Sequence, residues 1–216
     1  MARPATLSRG RIIEAAVGVI EREGADRLTA RRLGDVLGVD PTSMYRHFSN
    51  MGELERAVGD RFLDGVDVSS VADEPWQTVV ERICTHLRAA LMAQPHLARY
   101  AQAAPPRLVN ELRITEALLQ QLSRAGCPPP EAAHAYHALI ELTLGSAAID
   151  APLSAEVTGR RDAVYQEWRS DYAALDADAF PASVATAAFL YRGTADDRFA
   201  FALRALVSGL QRFATR

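Results

Sequence analysis

Thr42, Ser43, Arg46 and His47 fall within six consecutive positions. On a helix, steps of three and four would bring them to one side. They offer two compact hydroxyls, an imidazole that donates and accepts, and a guanidinium fork able to grip two acceptors at once. Such a set suits hydrogen bonding to a patterned polar surface. Little else in the chain carries chemistry. No Gly-x-Ser-x-Gly elbow, His-Glu-x-x-His, phosphate loop or dinucleotide fingerprint occurs, so no enzyme is expected. His134, His137 and Glu141 stand three and four apart, a spacing compatible with zinc or iron, but no fourth ligand accompanies them. A His137–Glu141 helical pair is the simpler reading, and neither metal nor cofactor is expected. Cys84 and Cys127 lie outside any Cys-x-x-Cys pair and read as small core residues of a reducing compartment.

The elements that must hold the first group are helical. Ser8 can cap a helix whose apolar face is Ile12, Ile13, Ala16, Val17 and Ile20, stopped by Gly24. Thr29 can cap a second, short helix with Leu33, Val36 and Leu37 inward, and Gly38 supplies a left-handed stop. Asp40 can cap a third helix, with Pro41 at its first position and Met44, Tyr45 and Phe48 inward. A fourth runs from about Gly52 to Val66, with Leu54, Val58, Phe62 and Val66 on one side. Two helices joined by a tight glycine turn, the second short and polar on one side, make a helix-turn-helix. Its second helix enters the major groove of DNA, where Thr42, Ser43, Arg46 and His47 would meet base edges, Arg46 gripping a guanine. Thr29 and Arg31 lie where a phosphate would pass, beside the amides of a helix start.

Beyond this head, periodicity stays helical. Helices are expected over 75–93, 95–103, 107–125 and 130–149, a loop over 151–159, further helices near 161–175 and 182–191, and a last helix over 196–213. The chain is therefore all-α, with a DNA-binding domain of residues 1–50 and a helical body of residues 51–216. All 24 basic residues are Arg. Residues 1–50 carry eight Arg against six acids, and the remainder sixteen against twenty-one, so a mildly basic head sits on an acidic body. A net charge of −3 argues against indiscriminate coating of nucleic acid. Neither a signal peptide nor a membrane span is evident, so a cytoplasmic protein that meets no membrane is expected. In the last helix Phe199, Leu203, Leu206, Leu210 and Phe213 follow steps of four and three, a seam suited to pairing with a second copy. Ala202, Ala205 and Gly209 give a second, small-residue stripe, and the helix over 130–149 ends in Gly145, Ser146, Ala147 and Ala148; one such face could serve the subunit core and the other a partner.

The tract IIEAAVGVIEREGADRLTARRLGDVLGVDPTSMYRHFSNMGEL, residues 12–54, resembles the DNA-binding domain of the tetracycline-repressor (TetR) family. The matching features are Ala15-Ala16, Gly24, Leu28-Thr29, Leu37-Gly38-Val39, Tyr45-x-His47-Phe48 and Leu54. The resemblance implies DNA contacts from Thr42, Ser43, Tyr45, Arg46 and His47, with the Tyr45 ring packed inside and its hydroxyl on a phosphate. It also implies a homodimer on a near-palindromic double-stranded operator. A small-molecule effector bound in the body would shift the dimer off DNA, the fourth helix acting as lever. Effector-binding candidates are Phe62, His86, Tyr100, His134, His137, Trp168 and Tyr172. The sequence departs from the family pattern at Asp40, where Ser is frequent, at Met51, where Lys is frequent, and at Ile20, where an aromatic is frequent. The first two remove favourable charge from the DNA side.

Overall fold

Each helix start in the head is fixed by a local side chain. The computed structural model describes residues 7–103, 107–154 and 158–212. Helix α1 (Arg9–Glu23) is capped by the Ser8 hydroxyl on the Arg11 amide, and α2 (Ala30–Leu37) by the Thr29 hydroxyl on the Arg32 amide. Gly38 ends α2 at φ 66°, a left-handed conformation that glycine adopts without a Cβ clash. Pro41–Arg46 then forms tight 3₁₀ turns rather than the expected α-helix. The difference is physical: Asp40 binds both the Thr42 amide and the Thr42 hydroxyl, winding the segment tightly from its first residue. Asn50 caps α3 (Met51–Phe62), which runs on through a turn at Leu63–Gly65 to the buried Val66.

The body comprises α4 (Trp76–Ala93), α5 (Pro95–Ala103), α6 (Val109–Arg124), α7 (Pro129–Ser154), α8 (Thr158–Ala173), α9 (Pro181–Thr186) and α10 (Ala195–Leu210). Helices α4, α6, α7 and α10 pack together, while α5 lies between this bundle and the head, against α1 and α3. One hydrophobic core runs through both, from Ile12 and Leu54 to Ile83, Leu118, Leu139 and Leu203. All regular elements among the described residues are helical, as the periodicity indicated.

Three expectations are corrected. The loop over 151–159 is largely helix: α7 continues to Ser154 and α8 starts at Thr158. Burial of Ala147, Asp150 and Ala151 keeps the chain wound past the point where helix signals fade. The helix near 182–191 stops at Thr186, and turns carry the chain to Tyr191 at φ 56°. The seam on the last helix faces inward. Phe199, Leu203 and Leu210 are buried in this chain's own core with Val207, and Leu206 packs partly against it. Their four-three spacing is that of an intramolecular core stripe. Phe213 lies outside the described residues.

Candidate nucleic-acid interface

The recognition segment expected from the sequence, Pro41–Arg46 with His47 at its end, is held from below and exposed above. Met44 and Phe48 are buried in the head, leaving Thr42, Tyr45 and Arg46 exposed and Ser43 and His47 half-buried. Tyr45 is 48% exposed, so its ring does not pack inside as expected; ring and hydroxyl both face solvent. On α2, Thr29 and Arg31 are exposed beside it, and Val36, expected inward, is also exposed. Gly34 explains how closely α2 and the segment approach: a Cβ there would stand 2.9 Å from the Val39 carbonyl oxygen and 3.0 Å from the Pro41 ring.

Arg9 is the clamp, and it was not singled out from sequence. From the start of α1 it donates to the His47 carbonyl and, at 2.8 Å, to Glu53 Oε1, while its guanidinium covers the Phe48 ring at 4.1 Å. Glu53 in turn accepts from the Ser49 hydroxyl and amide, which with Arg9 hold its carboxyl down at about 2. The end of the recognition segment is thereby tied to the starts of α1 and α3. A lone Arg beside a capping Ser offers no periodic signal, which is why spacing could not find it.

The charges divide into spoken-for and available. Arg32 grips Glu23 bidentately, with contacts of 2.7 to 3.0 Å, and braces α2 on α1. Arg31 and Arg46 are exposed and take no ion-pair partner among the described residues. Thr42 donates its hydroxyl to Asp40 at 2.5 Å, which leaves it only acceptor lone pairs for a base edge. The Asp40 carboxyl is lowered by that same bond and by the Thr42 amide, so it stays ionised close to the exposed edge. Met51, partly packed on the core at the start of α3, adds no charge there.

This geometry presents a rigid polar edge on a short segment, with two free arginines. Residues 12–58 match the family model for bacterial regulatory proteins of the tetR family, and residues 71–213 match that for the tetracyclin repressor-like C-terminal domain. The chain belongs to the TetR family. It is a DNA-binding, ligand-responsive transcriptional regulator. Tetracycline repressor protein class C of Escherichia coli is 26% identical over 209 residues, covering 95% of this chain and 91% of that protein. The transcriptional repressor DrrR1 of Streptomyces coeruleorubidus is 25% identical, covering 95% and 78%. Among solved structures, apo ActR from Streptomyces coelicolor superposes with a TM-score of 0.85 at 27% identity, covering 99% of this chain and 98% of its own. ActR in complex with actinorhodin gives 0.87 at 27%, covering 98% and 100%.

In this TetR-family regulator the residues expected to bind effector are dispersed. Phe62 is buried at the end of α3. Tyr100, half-buried on α5, donates its hydroxyl to the Ala25 carbonyl at 3.2 Å, bonding body to head. His86 is exposed on α4, and His134 and His137 are exposed on α7, His137 edge-on to Tyr136. Among the described residues no three His, Cys, Asp or Glu side chains gather closely enough to hold a metal. Only Trp168 and Tyr172 come together, on α8, in a cluster with Tyr165 and Tyr191. No helix of the described residues is long and apolar enough to cross a membrane.

The link from body to head is a residue that spacing also missed. Asp60 on α3 is buried, and its Oδ1 accepts from the amides of Asn110 at 2.9 Å and Glu111 at 3.0 Å. Its Oδ2 accepts from Asn110 Nδ2 at 3.1 Å. Leu108, at the start of α6, has no capping side chain, so α3 supplies the cap that α6 lacks. The missing Ser, Thr or Asp before Val109 was the signal available in the sequence.

Proposed function

We propose that this protein is a cytoplasmic repressor that binds a near-palindromic operator as a homodimer and leaves it when a small molecule occupies the body. The observation that carries this reading is the polar edge of exposed Thr42, Tyr45 and Arg46 and half-buried Ser43 and His47, clamped by Arg9, with Thr29 and Arg31 alongside for phosphates. Arg46 is free to take two acceptors of a guanine. The body supports pairing by its small-residue face rather than by the Phe199–Leu210 seam. Gly145, Ala148 and Ile149 on α7 and Phe201, Ala205 and Ser208 on α10 are exposed, Ile149 by 72% and Phe201 by 71%. Helices α7 and α10 pack side by side, so these residues form one apolar surface with small residues that permit close approach. A 27%-identical relative that holds actinorhodin supports a small-molecule effector. Movement in the body would reach the head through Asp60, which fixes α3 to α6, and through Tyr100.

Selection of bound fragments from random DNA tests the reading. The selected sequence should contain two inverted half-sites whose centres lie about 34–36 Å, one helical turn, apart. A single asymmetric site would refute the dimeric operator.

A further inference from the structure

One contact in the recognition segment fixes which way a hydroxyl can bond before DNA arrives. Thr42 is exposed at the start of that segment, the end from which a recognition helix reaches base edges. Its hydroxyl donates to Asp40 Oδ1 at 2.5 Å, and the same oxygen takes the Thr42 amide at 2.8 Å. A hydroxyl owns one hydrogen, so Thr42 then turns only lone pairs outward. Asp40 cannot reverse the bond, because a carboxylate has no hydrogen to give. The Thr42 hydroxyl, and after it the Thr42 amide, hold the Asp40 carboxyl below the ordinary carboxylate range, so it stays ionised at neutral pH.

The arrangement is stiff. Pro41 stands between the two residues, and its ring fixes φ at about −65°. That ring is seated against α2, where a Cβ on Gly34 would come within 3.0 Å of it. The charge on Asp40 also polarises the hydroxyl it holds, which makes the Thr42 oxygen a stronger acceptor. The neighbouring Ser43 hydroxyl has no such partner among the described residues and can turn either way. Arg46 lies four residues further on, roughly 8 Å away at about 2.0 Å per residue, and so meets a different base pair.

In the major groove adenine and cytosine each present an amino donor, whereas guanine and thymine present only acceptors for hydrogen bonds. Every base pair holds one base of each kind, so an acceptor-only hydroxyl senses which strand carries the amino base. We propose that Asp40 is a specificity-determining residue: by holding the Thr42 hydrogen, it makes Thr42 select adenine or cytosine on the strand it faces and reject guanine or thymine there. A keto oxygen brought to Thr42 would find no donor, and the nearby carboxylate charge would repel it as well. The Asp40 carboxylate, unfavourable near phosphates, thereby acquires a role in reading sequence. This inference rests on the operator-binding reading and adds a base class to it.

The test selects bound fragments from random DNA with the full chain, parent and variants alike, each checked for the parent's circular dichroism spectrum. The position whose preference changes in Thr42→Val is the one Thr42 faces. Adenine or cytosine is expected there for the parent, and Asp40→Ser should relax the preference to admit guanine and thymine. Serine still caps the segment, but its hydroxyl can donate to Thr42 as well as accept, which frees the Thr42 hydrogen. Thr42→Ser keeps the hydroxyl without the methyl and should select as the parent does. On the selected operator, unsubstituted purine in place of that adenine, or pyrimidin-2-one in place of that cytosine, removes only the amino group. Binding by the parent should then weaken roughly three- to tenfold, the worth of one net hydrogen bond, and binding by Thr42→Val should not change. Guanine or thymine at the Thr42 position overturns the proposal, as does undiminished binding of the amino-free operator. Selection by Asp40→Ser as narrow as the parent's overturns the role of Asp40. An operator with no position altered in Thr42→Val overturns this inference and leaves the repressor reading standing. Failure of the parent to select any sequence overturns that reading, and this inference with it.

Discussion

Replacing Asp60 by Ala should both loosen α6 and disconnect it from the reading head, and the two effects can be separated. Asp60 supplies an anionic acceptor to the second and third amides of α6. Loss of an ordinary helix cap costs about 0.5–2 kcal/mol, and a net hydrogen bond to a charged group is worth about 1.5–3 kcal/mol. Because Asn110 is only half-buried, water recovers part of the loss, and about 2 kcal/mol is the resulting figure. For a chain of this length each kcal/mol moves the midpoint by about 2–4 °C, so thermal unfolding followed by circular dichroism should drop by about 4–8 °C. Leu108 already has the extended backbone of a cap at φ −119°, ψ −179°, and is 37% exposed. Adding Leu108→Ser to Asp60→Ala should therefore restore much of the midpoint by giving α6 its own cap. It should not restore effector-driven release of labelled operator, read by anisotropy, because α3 would still be untied. An unchanged midpoint in Asp60→Ala would refute the capping role. Recovery of both midpoint and release in the double variant would refute the coupling.

Arg46→Ala should cost about 1–3 kcal/mol of specific binding and relax one base pair per half-site; equal loss on random DNA would make Arg46 a phosphate contact. Met51→Lys should strengthen binding to all sequences and steepen the salt slope by about one per subunit, since the long stem can keep Met51's packing while the ammonium reaches out; an unchanged slope would place this position away from the backbone. The Glu53 carboxyl falls from 4.5 to about 2 in the folded head, so its contribution is complete above pH 4.5 and disappears as pH falls toward 2. Acid titration of the parent should show that decline and Glu53→Gln should flatten part of it; identical curves would count against the clamp. Phe201→Glu should yield a folded monomer by sedimentation, whereas a persisting dimer would move the pairing surface off α7 and α10.

How much could be seen in advance depended on whether a residue acts through local spacing or across the fold. The caps at Ser8 and Thr29 and the Gly38 stop were legible because each is satisfied within three or four residues. The outward positions of Thr42 and Arg46 were legible for the same reason. The apolar stripe of α10 was visible, but not its partner: Phe199 and Leu203 meet this chain's own core, and periodicity is identical for either neighbour. Tyr45 misled because an aromatic at a helical spacing usually packs inward, whereas the tight turns at Pro41–Arg46 rotate it out. Arg9 and Asp60 act over separations of 38 to 51 residues, and no local pattern encodes such pairings.

The single core has a consequence for how such proteins can be recombined. Ile12, Leu54 and Val58 share one packed interior with Val79, Leu97 and Ile114, and the Ala25 carbonyl is bonded from Tyr100. The first fifty residues are thus not a separable unit. A chimaera cut at the end of the recognition segment would expose apolar surface on both pieces, separate Arg9 from Glu53 and leave the Tyr100 hydroxyl without the Ala25 carbonyl. Exchange of DNA specificity is better served by grafting the exposed side chains of 42–47 onto an intact frame. Transplanting a whole head would have to bring α3, α5 and the first turn of α6 with it.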